Sequence, residues 1–181
     1  DLHLLELDVS QPESLHNFAS QLKGDPIDVF INNAGVYGPK DVAFGTVNRK
    51  VWAEVLQINT IAPLLLTQLL QDNFKKGKDK KLVYISSKVG SIADNHGGGS
   101  YIYRSSKSAL NQVVKSLSID LADEGLIACV LHPGWVQTDM GGPNALIDPP
   151  TSVTGMLQVI DGLTTEQSGH FINYDGTEIP W

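Results

Sequence analysis

This sequence predicts an α/β fold, a parallel sheet wound on both faces, and three observations point to it. Short apolar runs alternate with helical patterns along the chain; the runs are continuously apolar rather than alternating, as strands covered on both faces are; and polar or glycine-bearing clusters recur where the runs end. With 181 residues, 41% of them hydrophobic and 18% charged, the chain fits a single domain, 1–181, with a full core.

The elements follow in order. Residues 2–9 read as the first strand. Ser10 as cap and Pro12 in the first turn open a helix that runs to about Leu22. Residues 27–31 form the second strand, and a long helical stretch over 49–74 is interrupted at Pro63. Residues 82–85 form the third strand. The helix over 103–124 puts Leu110, Val113, Val114, Leu117 and Leu121 on one stripe, and Gly125 closes it. The fourth strand, 127–131, carries the single cysteine, Cys129, read as a buried thiol; no internal disulfide can form, which suits a reducing compartment, and the cytoplasm is expected. A short helix over 152–160 and a strand over 171–174 complete the pattern.

Composition excludes several classes. A net charge of −7 with no basic stripe argues against a nucleic-acid surface. The longest apolar stretch, 61–70, contains Pro63, Thr67 and Gln68 and is too short to span a membrane, so no membrane partner is expected. No metal is expected either: His132 has no second ligand at metal spacing and reads as a satisfied structural histidine.

Four clusters stand at strand ends: Asp8; Asn32, Asn33, Ala34 and Gly35; Ser86 and Ser87; His132, Pro133 and Gly134. All fall at carboxyl ends along one sheet edge, where open α/β sheets bind ligands. Tyr103 and Lys107, four apart at a helix start, share a face. An ammonium there is expected to lower the phenol from its usual value of about 10, giving a group that can donate or accept a proton. Ser87 could hold the same substrate oxygen. Pro63 lacks the N–H that would bond the Asn59 carbonyl, which frees that carbonyl if the helix runs through both; the alternative is that Asn59 caps a second helical segment. Tyr37, Trp135 and Met140 flank these ends as an apolar wall, and residues 141–150 read as a lid.

Asn32-Asn33-Ala34-Gly35, Ser87, Tyr103-x-x-x-Lys107 and Pro133-Gly134, in this order, resemble the motifs of the short-chain dehydrogenase/reductase family over essentially the whole chain. The stretch 132–142 and the ending Asn173-Tyr-Asp-Gly-Thr177 resemble its branch of sniffer-type carbonyl reductases and C-factor. The resemblance implies a Rossmann-like sheet and NADPH-dependent reduction of an aldehyde or ketone to an alcohol. Tyr103 would be proton donor or acceptor, Lys107 would lower its pKa and bind the nicotinamide ribose, and Ser87 would position the carbonyl. Asn59 would hold a relay water. Asp8 and Val9 would touch the adenine; Asn33, Ala34 and Gly35 would line the cofactor path; Pro133, Gly134, Val136 and Thr138 would meet its nicotinamide end. NADP(H) follows from the branch, with NAD(H) left open. A small-molecule carbonyl or alcohol is the implied partner, and a homodimer through the two long helices is the implied assembly.

The chain departs from the family in two places. Ser87 stands sixteen residues before Tyr103, longer than the family spacing, with a loop of three consecutive glycines between them. The family's first two strands and their phosphate-binding Gly-rich turn are absent, which would separate the first two strands present by roughly 14 Å and leave a sheet edge open. A fragment or truncated form is therefore expected. The rival reading is a catalytically inactive family member acting as an interaction or signalling protein.

Overall fold

Four of the five apolar runs expected as strands pair into one parallel sheet, and the fifth does not. In the computed structural model, which describes residues 2–40 and 42–181, the strands are β1 (Val29–Asn32), β2 (Lys81–Ile85), β3 (Ile127–His132) and β4 (Phe171–Asn173), in that spatial order. The helices are α1 (Pro12–Gln21), α2 (Arg49–Leu56), α3 (Ala62–Leu69), α4 (Gln71–Lys76), α5 (Tyr101–Asp120) and α6 (Pro149–Gly162).

Register sets the two faces, because successive strand residues point to opposite sides. Leu82, Tyr84, Ala128 and Val130 pack on Leu15, Leu66, Phe74, Leu110 and Val114 from α1, α3, α4 and α5. On the other face Ile31, Val83 and Cys129 lie in register, and Val83, Cys129, Leu131 and Ile172 pack on Met156, Val159 and Ile160 of α6. Cys129 is buried there, and burial pushes its thiol up to about 12, so it behaves as an inert core side chain. The sheet is thus wound on both faces, as the sequence predicts.

Residues 2–9 are not a strand. Leu2 and Leu4 are 86% and 87% exposed, and no ladder bonds form there. An apolar run becomes a strand only when a partner takes its N–H and C=O groups, and among the described residues β1, the next strand along, pairs with β2 alone. Beside that free edge Val29 and Ile31 stand 39% and 44% exposed. Ser10 does not cap α1 either. Its hydroxyl and N–H both bond Asp8 Oδ1, at 2.7 and 2.9 Å, in an Asx-type turn, and Gln11 takes the cap position without a side-chain bond.

The stretch around Pro63 stays helical. Asn48 caps α2 by accepting from the Lys50 and Val51 N–H groups. A π-helical turn, Gln57–Ile61, then joins α2 to α3, with the Ala62 N–H bonding Gln57 O. Widening the helix here accommodates the missing proline N–H. Asn59 therefore lies inside a continuous helical path rather than at a cap. Asp148 caps α6 by accepting from the Thr151 N–H at 2.9 Å, so the expected lid ends in a helix at Pro149.

Candidate functional site

The carboxyl ends of β2 and β3 open beside the first turn of α5, and Ser87, Tyr103, Pro133, Gly134, Val136 and Thr138 meet there. Ser86 faces inward, donating to Asn111 Oδ1 at 2.7 Å. Ser87 caps the 3-10 turn Lys88–Gly90 and accepts from the Val89 N–H at 3.4 Å. Tyr103 is 8% exposed and Lys107 4%. Lys107 Nζ donates to Ile85 O at 2.9 Å and stands 5.9 Å from the Tyr103 ring centroid. Tyr37 stacks on the Tyr103 ring at 4.4 Å and 26°, with its hydroxyl 3.2 Å from Ser100 Oγ.

The electrostatics correct one expectation. Tyr103 is not lowered: burial pushes it up to about 12, and hydrogen bonding with the Ser87 side chain pulls only partly against that. Lys107 in turn is lowered to about 8, because burial disfavours its charge. Desolvation dominates both. The site therefore holds a neutral phenol beside an ammonium that is protonated at neutral pH.

Asn59 is fully buried and clamps this centre. Its Oδ1 accepts from the Val36 N–H at 2.9 Å, and its Nδ2 donates to Val36 O at 2.8 Å and Ser106 Oγ at 2.9 Å. It thereby ties the turn after β1 to α5. Gly35 lies over both groups: a Cβ there would stand 3.3 Å from Asn59 Oδ1 and 3.4 Å from Lys107 Nζ. Asn33 and Ala34 are exposed between β1 and this point.

At the end of β3, His132 lines the cleft, but it is not the satisfied histidine expected. Its Nδ1 is buried without a hydrogen-bond partner among the described residues, and burial, aided by the Lys88 charge, lowers the imidazole to about 4. The chain then turns at Pro133-Gly134. Gly134 has φ +84°, and a Cβ would meet Ile147 Cδ1 at 2.6 Å and the Tyr174 ring at 3.0 Å. Gly134→Ala is expected to cost about 2–4 kcal/mol from the left-handed backbone and overpacking together, read as a lowered urea midpoint.

Beyond this turn the loop folds on itself. Val136 bridges Ile147, Trp135 Nε1 donates to Gly141 O at 2.8 Å, and Thr138 Oγ1 accepts from the Gly141 N–H. This brings Trp135, Val136, Thr138 and Met140 to a cleft of about 530 Å³ shared with Ser87, Tyr103, Pro133 and Gly134. A neighbouring hollow of about 520 Å³ shares Tyr37, Trp135 and Met140. Sequence reasoning missed Lys88, Asp94 and Arg104, which also line the cleft, the first two as an ion pair at 3.5 Å. The available signal was adjacency: Lys88 follows Ser87, and Arg104 follows Tyr103.

Asp8 and Val9 are not brought to the cleft. They precede α1 in the unpaired segment, and Asp8, exposed, spends its carboxylate on Ser10, which holds it below the usual carboxylate range. Among the described residues no three His, Cys, Asp or Glu side chains gather as metal ligands, and no helix is long and apolar enough to cross a membrane.

The chain is similar to known proteins in sequence and in fold. A family model described as short chain dehydrogenase matches residues 1–146. The C-signal of Myxococcus xanthus is 48% identical over 164 residues, which span 91% of this chain and 98% of that protein. The 1-hydroxy-2-glutathionyl-2-methyl-3-butene dehydrogenase of Rhodococcus sp. (strain AD45) is 35% identical over 97% of this chain and 78% of its own length. Among solved structures, the carbonyl reductase Sniffer of D. melanogaster superposes with a TM-score of 0.92 at 36% identity, covering 99% of this chain and 78% of that one. The NADPH-bound carbonyl reductase from chicken fatty liver gives 0.92 at 35% identity, covering 99% and 77%.

Proposed function

The chain belongs to the short-chain dehydrogenase family, a family of oxidoreductases, and from that premise we propose that it reduces an aldehyde or ketone to an alcohol in the Tyr103 cleft, with NADPH as cofactor. The observation that carries this reading is the meeting of Ser87 and Tyr103 at one cleft at the ends of β2 and β3, with Lys107 buried one turn along α5 from Tyr103 and bonded to Ile85 O. The NADPH-bound state of the chicken reductase, at 35% identity, supports the choice of cofactor.

The residues present fit the nicotinamide-ribose half of such a cofactor. Among the described residues Lys107 Nζ has one acceptor, Ile85 O, and so keeps donors for ribose hydroxyls. Gly35 leaves open the space beside that ammonium that a side chain would enter. Pro133, Gly134, Val136 and Thr138 line the adjoining wall. When bound, NADPH supplies the hydride to the carbonyl carbon.

The chain's own groups do the rest. Ser87 Oγ–H and Tyr103 Oη–H both donate to the carbonyl oxygen and polarise it. As the oxygen gains charge, Tyr103 passes its phenolic proton to it, which completes the alcohol and leaves a phenolate. Lys107, still cationic at neutral pH, stabilises that phenolate. Tyr103 enters the reaction protonated because burial holds it near 12. Asn59 holds the Val36 turn and Ser106 against this centre, the place from which a relay would return a proton to Tyr103. Tyr37, Trp135 and Met140 form an apolar wall, which suits carbonyl compounds with apolar bodies.

Titration of the chain with NADPH by calorimetry, followed by NADPH oxidation with a panel of aldehydes and ketones, tests the proposal. Micromolar binding and turnover are expected; a folded chain that binds no NADPH and NADH alike sinks it. One observation favours a second reading, a non-catalytic interaction or signalling role: the outer edge of β1, unpaired among the described residues, with Val29 and Ile31 exposed, a surface that another strand could pair. That reading requires a defined complex and no turnover.

A further inference from the structure

The loop that carries Ser87 is fastened to α5 by a row of side chains that lies beside the Tyr103–Lys107 row. Arg104, Ser108 and Asn111 stand four and three residues apart, so they form one stripe of the helix. Each grips the loop. Arg104 donates to Val89 O at 3.1 Å, Ser108 Oγ donates to Gly90 O at 2.8 Å, and Asn111 takes the Ser86 hydroxyl on Oδ1 at 2.7 Å while its Nδ2 reaches Gly90 O at 3.4 Å. Asn111 is 3% exposed and Ser86 also 3%, so these bonds are made away from water.

The loop is also pressed flat on the helix. A Cβ on Gly90 would stand 2.8 Å from Lys107 Cβ and 3.0 Å from Lys107 C. The Gly90 N–H in turn bonds Ser87 O at 2.8 Å. Ser87 thus sits between two anchors, Ser86 on one side and Gly90 on the other, and Asn111 reaches both. We propose that Asn111, assisted by Ser108, is the positioning residue that fixes Ser87 relative to Tyr103 and Lys107. The arrangement also explains how a long separation between Ser87 and Tyr103 leaves the site intact. Extra residues in the loop over 94–100 lie outside the gripped turn, so they do not enter the geometry that the stripe sets.

The kinetic consequence rests on the reductase reading. The test is a double-mutant cycle of Asn111→Ala and Ser87→Ala, read in NADPH-dependent carbonyl reduction. Asn111→Ala is expected to lower kcat by about ten- to a hundredfold, as sub-ångström to ångström misplacement does, with KM for NADPH changed less than about twofold. In the Ser87→Ala background it is expected to add no further loss, because its effect passes through Ser87. Losses that multiply in a folded double variant overturn the proposal, since a general structural role would give that result. If Asn111→Ala does not fold, Ser108→Ala carries the same cycle, with a loss of a few-fold.

A second readout needs no turnover. Amide exchange at Gly90 is expected to speed up by about tenfold or more in Asn111→Ala, while Val83 and Val130 in the ladder keep their protection. Unchanged protection at Gly90 overturns the proposal. Should the wild-type chain bind NADPH but reduce no carbonyl, the reductase reading falls, and the exchange result alone decides the grip.

Discussion

Replacing Tyr103 with phenylalanine is expected to lower the carbonyl-reduction rate by about 10²–10⁴-fold, the share that a placed general acid contributes. The variant removes one oxygen and little else. The ring still stacks on Tyr37 at the 4.4 Å spacing, and α5 keeps its buried stripe. A phenol that burial holds near 12 gains little from its hydroxyl in the folded chain, so stability should change by less than about 1 kcal/mol. NADPH affinity should persist because Lys107 keeps its bond to Ile85 O. The expected signature is therefore a collapse of kcat with an unchanged cofactor isotherm and denaturation midpoint. Turnover at the wild-type rate would mean that another group protonates the oxygen, and Tyr103 would lose its role as the acid. A loss of binding along with turnover would instead place Tyr103 in the cofactor site rather than in the chemistry.

The sheet and most of the cleft are legible in the sequence because they rest on local signals. Continuous apolar runs mark β1 to β4, and residues at the carboxyl ends of β2 and β3 face the cleft by topology alone. The spacing of Tyr103 and Lys107 places them on one helix face. What is not legible depends on partners. Residues 2–9 carry a strand's composition, yet strand formation needs a neighbouring ladder, and among the described residues β1 pairs only with β2. With that segment unpaired, Asp8 and Val9 lack the position that a strand end would provide.

The direction of the Tyr103 shift escapes the sequence for a similar reason. Spacing reports that Lys107 is near, but not how deeply both are buried, and desolvation outweighs the charge. His132 reads as a partnered side chain, yet its Nδ1 has no partner among the described residues. Asn111 escapes notice because its spacing from Ser108 and Arg104 looks like any helical stripe until the Ser86–Gly90 turn is seen lying against it. In each case the missing information is tertiary burial or contact.

Lys107 ties the site's function to a cost in stability, and this gives the last and most discriminating expectation. Lowering its pKa from 10.5 to about 8 corresponds to roughly 3 kcal/mol against the protonated form in the folded chain. The unfolded lysine keeps its proton to about pH 10.5 and the folded one releases it near pH 8. Between those values the unfolded chain binds more protons, so the stability of the wild type rises with pH across the window and is lowest below pH 8. Lys107→Met removes the buried charge and fills a similar volume. It also removes the donor to Ile85 O, worth about 1–2 kcal/mol. The net expectation is a variant about 1–2 kcal/mol more stable than the wild type at pH 7, with the advantage shrinking as pH rises toward 10. Reductase activity should meanwhile fall by about 10²-fold or more, because the phenolate left by Tyr103 loses its cation. Denaturation midpoints at several pH values, measured beside turnover, check both halves. A methionine variant that is less stable at pH 7 would show that the ammonium is held by compensating interactions in the folded chain. In that case Lys107 would be a structural cation, and the site would lose the strain that marks it as functional.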